Sequence, residues 1–113
     1  MSESESTQTK TWETIIVGGG PAGLAAACHL AWHDRAVLVI DRRTGPLFFT
    51  LEALQNVPGM PACRGIDLMK RLRTQAEELG AEVTRADVIA ARGQMGAFEL
   101  DGADGERWRP RRC

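Results

Sequence analysis

The stretch VGGGPAG, Val17–Gly23, constrains the fold of this chain more than any other part of the sequence. It follows a run of β-branched apolar residues and precedes a run of small apolar residues that begins after Pro21. The first run predicts a buried strand over Glu13–Gly18. The second predicts a helix over Pro21–Trp32, whose first turn tolerates the missing amide hydrogen of proline.

A second strand completes this supersecondary unit. The predicted helix is apolar on nearly every side, which is typical of a helix that is buried all round. After a polar turn, the segment AVLVID, Ala36–Asp41, predicts another buried strand. Strand, helix and strand within about thirty residues form a βαβ unit with parallel strands and a right-handed crossover. The sequence therefore predicts an α/β fold.

The spacing of the glycines indicates a dinucleotide site. Gly18, Gly20 and Gly23 fit G-x-G-x-x-G between a strand and a helix, which is the context that this motif requires. The first glycine allows the tight turn, the second lets a pyrophosphate approach the backbone, and the third lets the helix pack closely. Asp41 follows at about the expected spacing of 20 residues, where its carboxylate can accept hydrogen bonds from the ribose of adenosine. It would repel a 2′-phosphate, so NADP is disfavoured, while FAD and NAD both stay open.

The remaining segments predict a second helix and several short strands. Gly65–Leu79 is amphipathic, and Gly80 follows it as a stop signal. Its apolar face carries Ile66, Met69, Leu72, Ala76 and Leu79. Strands are predicted at Glu82–Arg85, Val88–Arg92, Ala97–Leu100 and Glu106–Arg109, with turn residues at Asp101-Gly102 and Asp104-Gly105. Residues 42–64 show no clear period, and residues 1–12 are predicted to be a disordered tail before a domain over residues 13–113.

Composition excludes several classes of function. A chain of 113 residues with a net charge of −1 is the size of one domain and has no basic surplus for a nucleic-acid partner. No apolar stretch reaches membrane-spanning length. The cysteines Cys28, Cys63 and Cys113 form no disulfide framework and no redox or zinc motif, which favours a cytoplasmic location. We expect Cys28, Trp12 and Trp108 to be packing residues, and we predict neither a metal site nor a catalytic set.

Two segments resemble a known family. The stretch IIVGGGPAGLAAACHLA, followed by VLVIDR, resembles the FAD-binding start of the pyridine nucleotide–disulfide oxidoreductases. The later segment LQNVPGMPACRGIDLMKRLRTQAEELGAEV resembles the low-molecular-weight thioredoxin reductases, in which an Asn-x-Pro-Gly loop precedes an amphipathic helix ending in Gly-Ala. The resemblance covers nearly all of Thr14–Arg109. It implies a Rossmann-like FAD-binding domain with a parallel sheet and a small antiparallel β-meander, incomplete in this chain.

The resemblance also implies roles for individual residues. The glycine loop would hold the FAD pyrophosphate, Asp41 the ribose, and Asn56 the flavin part, while the backbone of Val88 would approach the adenine. The candidate cofactor-binding residues are Gly18, Gly19, Gly20, Pro21, Ala22, Gly23, Asp41, Arg42, Asn56 and Val88. NADPH is expected only for the full-length family member, and such relatives are often homodimers.

The chain departs from that family in three respects. It has aspartate at position 41 where the family commonly has glutamate, Thr44-Gly45-Pro46-Leu47 in place of a glycine pair, and no redox Cys-x-x-C. The sequence is therefore expected to be the N-terminal segment of an FAD-dependent NAD(P)H oxidoreductase, which binds the ADP part of FAD. The alternatives are a non-catalytic truncated remnant that binds nucleotides and an NAD-binding Rossmann module.

Overall fold

The computed structural model describes residues 11–43, 53–94 and 97–110. The elements in this part of the chain are β1 (Thr11–Trp12), β2 (Thr14–Val17), α1 (Pro21–Trp32), β3 (Val37–Asp41), β4 (Ala53–Leu54), β5 (Cys63–Arg64), α2 (Gly65–Glu78), β6 (Glu82–Arg85), β7 (Val88–Arg92), β8 (Glu99–Gly102) and β9 (Arg107–Pro110). The predicted α/β class is confirmed, and the predicted bounds of α1, β6 and β7 match the structure at both ends.

A parallel sheet forms the centre of the fold, in the strand order β2-β3-β6. Its middle strand, β3, is fully buried, with Val37–Ile40 each exposed by no more than 1%. Val37 and Val39 pack with α1 and α2, whereas Leu38 and Ile40 pack with Trp12 on the opposite face. The alternation of side chains along a strand therefore places the helices on one face of this sheet and the antiparallel strands on the other.

The strand β2 lies at one end of that sheet, and β3 is the only described strand that pairs with it. Its residues are less buried than those of β3, and Val17 is 56% exposed. The sequence Thr-Ile-Ile-Val carries neither a charge nor a proline. The described residues therefore leave one edge of an apolar strand uncovered.

Helix α1 is buried on one side, and the prediction that it is buried all round is wrong. Leu24, Ala27 and Ala31 face the core, but Ala25 and Ala26 are exposed and Trp32 is 69% exposed. The sheet and α2 cover only the inner side of the helix, and no other described element covers the outer side. Alanine tolerates this exposure at little cost because its side chain is small.

Helix α2 is amphipathic as predicted and ends at Glu78, one residue earlier than expected. Met69 and Ala76 are buried, and Leu68 is buried in addition to the predicted face. The amide of Gly80 donates to the Glu77 carbonyl and the amide of Ala81 donates to the Ala76 carbonyl. With Gly80 at a φ of 113°, these bonds form a Schellman motif, so the predicted role of this glycine as a stop is confirmed.

The antiparallel strands β7, β8 and β9 form the predicted meander, but the last two strands lie later in the chain than expected. The predicted turn residues Asp101 and Gly102 belong to β8, whereas the observed turn, Ala103–Gly105, contains the other predicted pair, Asp104 and Gly105. Asp101 pairs with arginines on both neighbouring strands, and the Gly102 amide donates to the carbonyl of Glu106. These cross-strand partners override the local turn preference of the Asp-Gly pair.

The N-terminal boundary also needs correction. The predicted tail included Thr11 and Trp12, but these residues form β1, which pairs in parallel with β9. Trp12 is only 7% exposed and packs against Leu38 and Ile40, so its predicted packing role is confirmed. Residues 1–10 lie outside the described part of the chain. In the segment predicted to be irregular, β4 and β5 form a short antiparallel pair.

Candidate nucleotide-binding site

The glycine loop and Asp41 meet at the carboxyl end of the parallel sheet. The amide of Gly18 donates to the Ile40 carbonyl at 2.8 Å, which ties the loop to the end of β3. The amide of Gly19 donates to Oδ1 of Asp41 at 3.2 Å. In open parallel sheets, ligands bind in the crevice beyond the carboxyl ends of the strands. The structure therefore brings together the two halves of the predicted motif at the position where such sheets bind their ligands.

Three of the loop glycines are required by the fold itself. Gly18 has a φ of 110°, which a residue with a side chain rarely adopts. A Cβ on Gly19 would lie 2.5 Å from Cγ of Asp41, and a Cβ on Gly23 would overlap the Gly18 carbonyl oxygen. The close contact at Gly23 lets α1 pack directly against the loop and β2, as the motif predicts.

Gly20 differs from these three because neither its backbone angles nor its described neighbours require a glycine there. Its φ of −76° and ψ of −174° are open to any residue. A Cβ built on it would meet no heavy atom of the described residues within 4 Å. Glycine at such a position leaves room for another group to approach the backbone closely.

Helix α1 presents its N-terminus to the same space. Pro21 occupies its first turn, and Gly20 at the N-cap offers no side chain to accept from the first amides. The first turn also contains no acidic residue. Among the described residues no side chain caps this helix end, and an uncapped helix N-terminus favours an anion such as phosphate.

Asp41 is held in place by hydrogen bonds from backbone amides. Its Oδ1 accepts from Gly19 at 3.2 Å and from Arg43 at 3.0 Å. Among the described residues no hydrogen bond reaches its second oxygen, Oδ2. The carboxylate is half-buried, so one oxygen positions the side chain while the other can accept from a ligand hydroxyl.

The remaining predicted residues occupy different places. Arg42 is exposed and forms an ion pair with Asp87 at 3.7 Å. Val88 begins β7, two residues after Ala86, whose amide donates to the Asp41 carbonyl at 3.2 Å. These contacts place Arg42 and the start of β7 beside the end of β3.

Asn56 is exposed in the segment between β4 and β5. Within the described residues, no hydrogen bond or ion pair joins it to the glycine loop or to Asp41. The segment Thr44-Gly45-Pro46-Leu47, one of the departures from the family, lies outside the described residues. The structure thus groups most of the predicted residues around Asp41 and leaves Asn56 apart from them.

Sequence reasoning missed Arg43. Its backbone has a φ of 63°, and its amide donates to Asp41. Its Nε is buried and has no hydrogen-bond partner, a condition found at no other side-chain nitrogen or oxygen of the described residues. A left-handed conformation at an arginine leaves no sign in the sequence, since the preference there is for glycine or asparagine.

The two described cysteines are free and lie on different elements. Sγ of Cys28 lies 3.9 Å from the Leu72 carbonyl oxygen, and burial raises the pKa of this thiol. A raised pKa keeps the thiol protonated and unreactive, in agreement with the predicted packing role. Cys63 is half-buried on β5, and Cys113 lies outside the described residues.

Comparison with known proteins identifies the family. The profile of the NAD(P)-binding Rossmann-like domain matches residues 16–77, which include the glycine loop, Asp41 and most of α2. The chain belongs to this family. The match confirms that the strand, glycine loop and helix form a Rossmann-like unit, and it leaves the choice between FAD and NAD open.

Several of the individual relatives are thioredoxin reductases. The thioredoxin reductase of Aquifex aeolicus is 36% identical over 103 residues, which cover 88% of this chain and 32% of that protein. That of Streptomyces coelicolor is 40% identical over 80 residues, covering 67% of this chain and 24% of that protein. A thioredoxin reductase structure from Gloeobacter violaceus superposes with a TM-score of 0.85 at 27% identity, over 95% of this chain and 34% of that chain.

These relatives limit what the likeness says of function. The chain spans only about a third of the length of the thioredoxin reductases that it matches. The resemblance to thioredoxin reductases inferred from the sequence is confirmed for the part of those proteins that this chain covers.

Among the described residues, no helix is long and apolar enough to cross a membrane.

Proposed function

We propose that this chain binds the ADP part of FAD and belongs to an FAD-dependent NAD(P)H oxidoreductase of the thioredoxin reductase-like type. Support comes from the Rossmann-like fold, from the likeness to thioredoxin reductases, and from the arrangement of the glycine loop. By this proposal, the whole protein passes hydride from NADPH to the flavin and the electrons onward.

Gly20 is the single observation that carries the proposal. The other loop glycines serve the chain, whereas Gly20 serves no purpose within the described residues. A pyrophosphate lying on the backbone would need that space, and the N-terminus of α1 beside it would stabilise the negative charge.

Asp41 supplies the second contact. With Oδ1 fixed by two amides, Oδ2 would accept a hydrogen bond from the adenosine ribose. A 2′-phosphate at this place would bring two negative groups together, so the proposal excludes NADP from this site. The likeness to thioredoxin reductases favours FAD over NAD.

The chain's own contribution is binding and orientation. When bound, FAD supplies the redox chemistry, and the protein holds its adenosine diphosphate end. The fit rests on the open space at Gly20, the uncapped helix end and the available carboxylate oxygen. The homodimer and the cytoplasmic location remain predictions.

The substitution Gly20→Ala tests the proposal. We expect this variant to fold as well as the wild type, because a Cβ meets nothing and the φ suits alanine. FAD should raise the thermal unfolding temperature of the wild type, because a ligand that binds only the folded state stabilises it. It should raise that of Gly20→Ala much less. Titration calorimetry with FAD, ADP and NAD then compares affinities.

Gly105→Ala is the matched control. Gly105 lies in the turn before β9 and has a φ of 87°, so alanine there should cost about 1 kcal/mol of stability. It should bind FAD as the wild type does. Equal FAD binding by Gly20→Ala and the wild type would contradict the pyrophosphate assignment, and stronger stabilisation by NAD than by FAD would favour an NAD module.

A further inference from the structure

Arg43 stands out among the described arginines by its surroundings. It lies just beyond β3, is half-buried, and adopts a φ of 63°. Arginine incurs a steric penalty in this left-handed region because its Cβ approaches the neighbouring carbonyl. Strained residues of this kind persist where the surrounding structure holds them, and they concentrate at ligand sites.

Asp41 is the group that holds Arg43 in this conformation. The Arg43 amide donates to Oδ1 of Asp41 at 3.0 Å, and the Gly19 amide donates to the same oxygen. One carboxylate oxygen thereby fixes both the glycine loop and the backbone of Arg43. The strained arginine is thus part of the same arrangement as the candidate site.

One side-chain nitrogen of Arg43 lacks the partner that such a group normally has. This nitrogen, Nε, is buried and has no hydrogen-bond acceptor among the described residues. The neighbouring Arg42, by contrast, is more exposed and pairs with Asp87. Buried nitrogen donors are nearly always satisfied in folded proteins, so an unsatisfied one indicates an absent acceptor. Guanidinium groups donate in a fixed plane and also stack on flat rings.

We propose that Arg43 is a further nucleotide-binding residue, whose guanidinium donates to the adenosine end of the bound dinucleotide. The inference rests on the proposed function. The pyrophosphate space lies at Gly20, and Asp41 takes the ribose. Arg43 follows the ribose-binding acid along the chain, and adenine offers both ring-nitrogen acceptors and a flat face. The ligand class is adenine nucleotides.

Two substitutions of Arg43 test the proposal, together with a control. Arg43→Gly relieves the backbone strain and removes the guanidinium, whereas Arg43→Lys keeps the charge and loses the planar donors. Asp34→Gly is the matched control, since Asp34 has a φ of 61° at the far end of α1. Calorimetric titration with adenosine, AMP, ADP and FAD measures binding, and thermal unfolding without ligand measures stability.

We expect Arg43→Gly and Asp34→Gly to unfold at temperatures no lower than the wild type. Both Arg43 variants should bind AMP, ADP and FAD about tenfold more weakly, as expected for the loss of a charged hydrogen bond. Asp34→Gly should bind all of them as the wild type does. A guanidinium that only supported the fold would lower stability when removed and leave the affinity of the folded chain unchanged.

Each other outcome has a definite meaning. Unchanged ADP affinity in Arg43→Gly, or full affinity in Arg43→Lys, would overturn the inference and leave the proposed function intact. A loss for ADP with none for adenosine and AMP would assign Arg43 to the second phosphate and overturn the adenosine contact. A wild-type chain that binds neither ADP nor FAD would overturn the proposed function itself.

Discussion

The parallel sheet and the antiparallel meander are stabilised in different ways. In the parallel sheet, β3 is buried on both faces and carries no charge before Asp41. In the meander, one face packs Leu100 and Trp108 against the centre of the fold. The other face carries a set of ion pairs, which we call the charge ladder; it consists of Arg92, Glu99, Asp101, Arg107 and Arg109.

The two regions therefore differ in the interactions that stabilise them. Apolar burial contributes most of the free energy of folding and responds to changes in side-chain volume. Exposed ion pairs contribute little and respond to pH and salt. Volume changes should therefore affect the parallel sheet most, whereas acid should act on the meander.

The largest expected effect comes from Leu38→Ala. Leu38 belongs to the parallel sheet, is 1% exposed and packs with Trp12 on the side of the meander. Its truncation should lower the free energy of unfolding by about 3 kcal/mol, because it leaves a cavity between the two sheets. Urea unfolding followed by tryptophan fluorescence measures it. Ile89→Ala, at a residue that is 65% exposed, should change stability by less than about 0.5 kcal/mol. Equal losses in the free energy of unfolding of the two variants would contradict this difference between the two regions.

A pair of glycine substitutions gives an intermediate effect. Gly23→Ala places a Cβ against the Gly18 carbonyl oxygen, which belongs to the backbone. We expect a loss of roughly 2–3 kcal/mol, near the upper end for overpacking. The heavy atoms nearest to a Cβ on Gly102 belong to the side chains of Glu106 and Trp108, so Gly102→Ala should cost about 1 kcal/mol. Thermal unfolding compares them, and a larger loss at Gly102 would show that the meander is the more rigid region.

The smallest effect concerns the charge ladder. The hydrogen bond from Arg109 lowers the pKa of Glu99, and that from Arg92 lowers the pKa of Asp101. A carboxyl whose pKa is lowered by folding stabilises the folded state above its ordinary pKa. This contribution is lost as the pH falls from the ordinary carboxyl range through the lowered values. Because the arginines that pair with these half-buried carboxylates are exposed to solvent, the effect should be small.

Unfolding of the wild type and of Asp101→Asn at several pH values measures this contribution. The difference between the two should be present at neutral pH, shrink as the solution becomes acidic, and weaken with added salt. Asp104→Asn, in the turn before β9, is a matched exposed control and should show no comparable dependence. A difference that grows toward acid would contradict the sign of the shift.

The sequence was most informative where structure depends on local pattern. The bounds of α1 follow from Pro21 and the polar turn after Trp32, and the end of α2 follows from Gly80. The meander was less predictable because its bounds depend on partners from other strands. Asp101 and Gly102 have the local preference of a turn, but their cross-strand contacts place them in β8.

In the candidate site, too, features set by local sequence were predictable, whereas features set by the surrounding structure were not. The motif predicted that Gly18, Gly23 and Asp41 would act together, because each meets a local steric or chemical need. It could not reveal that a side chain on Gly20 would contact none of the described residues, since that requires the positions of the surrounding atoms. Nor could it single out Arg43, because its left-handed backbone and its Nε, buried without a hydrogen-bond partner among the described residues, are visible only in the structure.

The uncovered edge of β2 has a consequence for handling the protein. An apolar edge without charge or proline offers its backbone groups to any strand that approaches, including one from a neighbouring molecule. Since no described strand pairs with this edge, we expect it to promote association between molecules at high concentration. A lysine introduced there would be a practical route to concentrated, well-behaved samples for the binding measurements.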